Sequence, residues 1–227
     1  MPRPPRFIVP NFPHHVVQRG HNGRQIFFND RYYKQYLDFL RKYKEELECK
    51  IYAFCLMTNH VHIIINPGNN ILSLSKFMMC VSGMFTRYAN HFEDCRGTLW
   101  EGRYKVSVID TDSYLLACSR YVELNPVTAN MVSRPEQCFW SSYRSKIGLN
   151  PINWLDLDPC YLGIGKNNLE RFAAYKQWIK KGISKNERKI IRGAYRKGIP
   201  TGPPIFVDEI MKKFNCQLKR NGRPLDV

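Results

Sequence analysis

Leu56-Met57-Thr58-Asn59-His60-Val61-His62-Ile63-Ile64-Ile65-Asn66 places two histidines, two residues apart, at the start of a β-branched apolar run. Such a run reads as a buried strand. Side chains alternate along a strand, so His60 and His62 share one face while Val61, Ile63 and Ile65 turn to a core on the other. Two imidazoles on one face are half of a metal site. Just upstream, residues 50–56 read as another strand, and the short Met57-Thr58-Asn59 link predicts a hairpin between the two.

Helical patterns flank this hairpin. Asn29 or Asp30 can cap a helix running to about Glu48, with Tyr33, Tyr36 or Leu37, Leu40, Tyr43 and Leu47 as its apolar stripe. A second helix is predicted from Ile71 to about Phe92, with Leu74, Met78, Val81, Phe85 and Tyr88 on one face. The four methionines between 57 and 84 read as core filling. His14-His15-Val16-Val17-Gln18-Arg19-Gly20 reads as a first strand. Its adjacent histidines face opposite sides and make a poor chelate. Leu99 to Ile109 reads as a fourth strand with Arg103 and Lys105 on one face.

The order is therefore β-α-β-β-α-β, an α+β fold of the ferredoxin-like, split βαβ type, an antiparallel sheet with helices on one face. A third helix is predicted from about 110–112 to just before Pro126. The expected division is a domain over residues 1–150 and a basic, mainly helical extension over 151–227, broken at Gly182, Gly198 and the Pro/Gly cluster 200–204.

The chain has 227 residues and a formal net charge of +16, which points to a polyanionic partner. From Gly163 onward there are 16 Lys/Arg against 5 Asp/Glu, a net +11, so the extension carries most of the excess. This is the pattern of an electrostatic anchor for a phosphate backbone. Residues 1–13 are rich in Pro and Arg and read either as an extended arm, with Arg3 and Arg6 free to reach DNA, or as a disordered terminus. The eight cysteines show no Cys-x-x-Cys pair and read as reduced thiols of a cytosolic protein. Neither a membrane span nor a secretory signal is expected.

The chemistry centres on the third helix, Asp112-Ser-Tyr-Leu-Leu-Ala-Cys-Ser-Arg-Tyr121-Val-Glu-Leu-Asn125-Pro126. Tyr121 and Asn125 are four apart and stack on one helical face. Asn125 beside Pro126 also suits a helix end, and a lone tyrosine is more often packing than nucleophile. Taken together, two neutral imidazoles and an amide oxygen suit Mg²⁺ or Mn²⁺ with open positions. A tyrosine one turn from such a ligand is placed for attack on a phosphodiester, giving a phosphotyrosine and a free 3′-hydroxyl. No nucleotide cofactor is required, and no Walker-type glycine loop is present.

Asn59-His60-Val61-His62, Leu99-Trp-Glu-Gly-Arg-Tyr-Lys105 and Arg120-Tyr-Val-Glu-Leu-Asn-Pro-Val127 together resemble the single-tyrosine HUH transposases. Among these the chain is most similar to the REP-associated tyrosine transposases, a resemblance supported also by Arg3-Pro-Pro-Arg6, by the first strand and by Trp140-Ser-Ser-Tyr143. The resemblance covers roughly residues 3–150. It implies His60 and His62 as metal ligands, Asn125 as the third metal-side residue and Tyr121 as nucleophile. The implied substrate is single-stranded DNA carrying an imperfect palindromic hairpin with a guide sequence at its foot. Thr128 departs from the pattern, since relatives usually carry Arg there.

Candidate DNA-backbone contacts are Arg19, Arg24, Arg87, Arg103 and Lys105, each of which could equally be a solvated charge; Arg3 and Arg6 are candidates for reading the guide. The expected activity is metal-dependent cleavage and strand transfer on hairpin DNA, by a monomer or homodimer in the cytoplasm, associated with the nucleoid. The alternative is a domesticated nucleic-acid-binding protein that keeps the fold without cutting; the presence of both histidines, Tyr121 and Asn125 disfavours it. A two-histidine phosphoesterase would want two His-x-Ser/Thr motifs, and the chain has none.

Overall fold

The computed structural model describes residues 5–214. Four antiparallel strands form one sheet in the order β2-β3-β1-β4: β1 His14–Arg19, β2 Lys50–Met57, β3 His60–Asn66 and β4 Lys105–Val108. The predicted hairpin is present, with Thr58 and Asn59 joining β2 to β3. β1 lies between β3 and β4, so β2 and β3 are added outside it, as the split βαβ arrangement requires.

Two helices cover one sheet face, α1 (Asp30–Glu46) and α2 (Ile71–Phe92). Both start where the sequence offers a cap: the Asn29 side chain accepts from the Arg31 amide and Asn70 from Leu72. Tyr36, Leu40, Leu74, Met78, Val81 and Phe85 pack there on Val16, Val61, Ile63 and Ile65.

The opposite face is that of the histidines. α3 (Leu115–Glu123), followed by α4 (Asn125–Thr128), lies across it. After α5 (Tyr143–Lys146), α6 (Pro159–Gly163) and α7 (Asn168–Lys180), α8 (Lys185–Lys197) returns to that face against β4, β1 and α3. α9 (Pro204–Lys213) follows, and Ile210 packs on Val9 and Val108. Cys118, Val122, Ile191 and Tyr195 share one apolar cluster with Val17, Cys55 and Ile64. The Trp140–Tyr143 stretch runs along the free edge of β2, where Leu56 N–H donates to the Trp140 carbonyl and Ser142 N–H to that of Phe54. That edge is thereby covered.

Four expectations are corrected. The fourth strand is short: Trp100 makes only an isolated bridge to Gly20, and the chain bends outward through exposed Glu101-Gly102-Arg103 before the ladder resumes at Lys105. The third helix starts at Leu115 rather than near 110–112, because residues 111–114 form turns. Pro126 is the second residue of α4 instead of merely following a helix; in a helix's first turn its missing N–H costs nothing. The N-terminal segment is also docked rather than free. Phe7 and Phe12 pack around the cluster of Val9, Val108 and Ile210, and the Arg6 guanidinium lies 3.6 Å over the Tyr104 ring while Nε donates to the Tyr104 carbonyl. Arg3 lies outside the described residues. Among the described residues all seven cysteines are free, and no helix is long and apolar enough to cross a membrane.

His14 fixes the β1 end. It accepts the Val9 N–H at Nε2 (3.1 Å) and donates from Nδ1 to the Phe12 carbonyl (2.8 Å), which requires the neutral ring. Burial lowers its pKa to about 4, below the ordinary 6.5. As pH falls the unfolded chain takes up this proton first, so stability is intact above about pH 6.5 and is lost progressively toward pH 4. His15 and His60, held at about 3 and about 4 by burial, act in the same direction. In chelator-treated protein, each such histidine adds a slope of about 1.4 kcal/mol per pH unit in that window. His14→Gln keeps both hydrogen-bonding roles without the charge. Denaturant titrations from pH 7 to 4.5 should show a slope shallower by that amount; an unchanged slope contradicts this account.

Candidate active site

His60, His62, Tyr121, Asn125, Thr128, Arg188, Arg192 and Tyr195 line one cleft of roughly 190 Å³ between the histidine strand, α3–α4 and α8. The register explains the strand side. Val17 lies opposite His62, Arg19 opposite His60 and His15 opposite Ile64, so His15, His60 and His62 all face α3. The His60 and His62 rings are 5.0 Å apart, and Tyr121 stands edge-on to His62 at 5.8 Å.

Each imidazole has one nitrogen engaged. His60 Nδ1 is 2.7 Å from Asn59 Oδ1. The amide oxygen can only accept, so the proton sits on Nδ1 and Nε2 carries the free lone pair. His62 Nδ1 is 2.8 Å from Nε2 of His15, and their rings stack at 5.1 Å. A proton on His62 Nδ1, shared with His15, leaves His62 Nε2 bare in the same way, which is the tautomer a ligand needs. Burial holds both rings neutral: it lowers His60 to about 4 and His62 well below its ordinary value, with neighbouring His15 and His60 adding to the effect on His62.

Asn125 is the third candidate donor lining the cleft. Its amide nitrogen donates to the carbonyls of Tyr121 (2.7 Å) and Val122 (3.3 Å) at the end of α3. Carbonyls only accept, so the NH₂ orientation is fixed and Oδ1 is the free end of the side chain. Among the described residues no group of three His, Cys, Asp or Glu side chains could hold a metal ion. The donors here are two neutral imidazoles and one amide oxygen, too few for a closed structural zinc site. They fit a hard divalent ion that keeps part of its water shell.

Tyr121 is 8 % exposed. Burial raises its phenol pKa, as do its charge interaction and hydrogen bond with Tyr195, while Arg192 and Arg188 pull it back. The helix that carries Tyr121 is held from both sides. Arg120 donates to Glu187 of α8 (2.6 Å) and stacks on Trp178 (4.0 Å). Glu123 accepts from Ser142 (2.6 Å) and Tyr175 (2.7 Å) and pairs with Lys146 (3.3 Å), all within the core.

The remaining predicted residues are dispersed. Arg19 ends β1 opposite His60, whose imidazolium form its charge disfavours. Lys105 is exposed at the β4 edge, in register with Val17 and therefore on the histidine face. Arg24 is exposed just after a short turn of 3₁₀ helix, His21–Gly23, beyond β1. Arg103 is exposed before β4, close enough for its charge to act on Arg6. Arg87 is exposed on α2, across the sheet from the cleft. Four cleft or support residues escaped the sequence reading: His15, Arg188, Arg192 and Tyr195. Arg188 donates to the Thr128 hydroxyl (3.3 Å), so α8 brings a guanidinium to the position where the resembled family carries Arg.

A split βαβ sheet with a His-x-His strand facing a tyrosine helix is the architecture of a single-tyrosine transposase. The family model for IS200-like transposases matches residues 8–125, more than half of the chain, and the chain belongs to that family. Membership gives it a transposition-related, DNA-binding role. The structure of a REP-associated tyrosine transposase bound to a REP hairpin aligns with a TM-score of 0.57 at 19 % identity, covering 69 % of this chain and 92 % of that one. A Deinococcus radiodurans transposase structure aligns at 18 % identity and a TM-score of 0.37, over 53 % and 95 % of the two chains. No curated protein matches the chain at a significant level.

Proposed function

We propose that the protein cuts and rejoins single-stranded DNA at the foot of a hairpin, through a covalent 5′-phosphotyrosine on Tyr121. One observation carries this reading: Tyr121, Asn125, His60 and His62 line one cleft. The Tyr121 oxygen attacks phosphorus, a P–O bond forms, the P–O3′ bond breaks, and the leaving oxygen takes a proton to become a 3′-hydroxyl. The phosphodiester energy is kept in the tyrosine ester, and an incoming 3′-hydroxyl can reverse the step to join strands.

His60, His62 and Asn125 would hold Mg²⁺ or Mn²⁺, which supplies Lewis-acid polarisation of a non-bridging phosphate oxygen when bound. Neutral imidazoles are ready to ligate without losing a proton. Arg188 and Arg192 face the same space and complement charge building on the phosphoryl oxygens. Arg19 and Lys105 stand on the histidine face, where a backbone leaving the cleft would pass; Arg6, Arg24, Arg87 and Arg103 are the more distant candidates for DNA contact, and Arg3, outside the described residues, is a candidate on its sequence alone. The test is cleavage of a panel of hairpin oligonucleotides with Mg²⁺, Mn²⁺ or chelator. A protein–DNA adduct of the mass of the 3′-side fragment, esterified through its 5′ phosphate, is expected only with metal. Nicking without an adduct, or equal nicking in chelator, contradicts the proposal.

A further inference from the structure

α8 lies beyond the span matched by the transposase family. Its sequence alternates an apolar side, Ile191, Ala194 and Tyr195, which is buried on the sheet, with an outward side of Lys185, Arg188, Lys189, Arg192, Arg196 and Lys197. The helix register is fixed by a capping box between Ser184 and Glu187, and Glu187 is turned inward onto Arg120. The outward side therefore carries no carboxylate. Lys185, Arg188, Arg192 and Arg196 follow at three- and four-residue steps, a stripe on the order of 16 Å long. Among the described residues none of these side chains forms an ion pair.

This side floors a groove of roughly 790 Å³. Arg188 and Arg192 line both the groove and the Tyr121 cleft, so the two spaces adjoin along these side chains. Gly193 also lines the groove, in the middle of the helix, where glycine costs about 1 kcal/mol relative to alanine. Packing does not require it, since an added Cβ would meet nothing within 4 Å. A bare backbone at that point lets a bulky ligand lie close to the helix.

Resting on the cleavage reading above, we propose that the outward face of α8 is the track along which the single-stranded DNA backbone crosses the cleft. Arg188 and Arg192 grip phosphates beside Tyr121, and Gly193 lets the strand lie against the helix. Charge favours this occupant: a polyanion neutralises a stripe of unpaired cations that otherwise repel one another.

Anisotropy of a labelled hairpin oligonucleotide with a single-stranded foot, measured on the full chain without added metal, tests the track. Arg188→Gln/Arg192→Gln should weaken binding about 10-fold or more and flatten the plot of log affinity against log salt. The slope should fall by about 0.7 per lost phosphate contact, or about 1.4 for the pair. Lys34→Gln/Arg41→Gln on α1, across the sheet, removes equal charge and should leave the slope nearly unchanged. Gly193→Leu changes no charge and improves helix propensity, so its melting temperature should not drop, yet binding should weaken comparably. Equal losses from both double variants, or wild-type binding by Gly193→Leu, overturn the track. Binding that follows this pattern without any metal-dependent adduct sinks the cleavage reading and leaves the track standing. Adduct formation with both arginines dispensable does the reverse.

Discussion

Tyr121→Phe is expected to abolish the covalent protein–DNA adduct and hairpin nicking, a loss on the order of 10⁴-fold or more, while DNA affinity changes little. The variant keeps the ring that packs edge-on to His15 and His62 and loses one oxygen, the atom that would form the ester. Its structural cost is one hydrogen bond to Tyr195, worth about 1 kcal/mol. The one other phenol lining the cleft is that of Tyr195, whose ring sits 6.2 Å from His62 against 5.8 Å for Tyr121. Tyr195→Phe is therefore the paired experiment. It should retain the adduct, and mapping by mass should place the ester on the peptide containing Tyr121. An adduct that survives Tyr121→Phe and maps to Tyr195 would transfer the nucleophile to α8.

Much of the frame is legible in the sequence because two periodicities separate cleanly. The spacing of three and four in α1 and α2, each opened by an asparagine cap, and the alternation in β3 identify these elements without tertiary information. Where local chemistry and long-range packing diverge, the sequence is silent. Leu99 to Ile109 alternates well enough for one strand, yet Gly102 and its charged neighbours bend away and only Lys105–Val108 joins the ladder.

His15 shows the same limit at the site. Alternation requires that one of His14 and His15 share a face with His60 and His62. Only the antiparallel register, with Val17 opposite His62, decides which one. α8 was hidden for a different reason. Its charge is visible in the sequence, but its place over the cleft comes from Ile191 and Tyr195 entering the cluster beneath α3, a contact some 70 residues away along the chain. Local motifs therefore single out the two histidines, Tyr121 and Asn125, whereas the residues that position them come from packing.

The packing that positions Tyr121 makes a second large prediction. Glu123 and Lys146 are both 0 % exposed and lie 3.3 Å apart. Removing one partner leaves the other charged in a site without water, at a cost of about 3–5 kcal/mol. Lys146→Met preserves length and volume, so its penalty measures the stranded Glu123 carboxylate, still bonded by Ser142 and Tyr175. Glu123→Leu strands the ammonium and also frees the Tyr175 hydroxyl. Either single variant should lower the melting temperature markedly, and Lys146→Met, the gentler change, should also slow the proposed cleavage, because Glu123 sits two residues from Tyr121 on α3. The double variant Glu123→Leu/Lys146→Met buries no charge and should recover much of the lost stability. Cleavage should recover less, since Ser142 and Tyr175 then no longer hold α3 in place. If instead the double variant is as unstable as the sum of the singles, the two groups act independently, and the ion pair does not anchor the tyrosine helix.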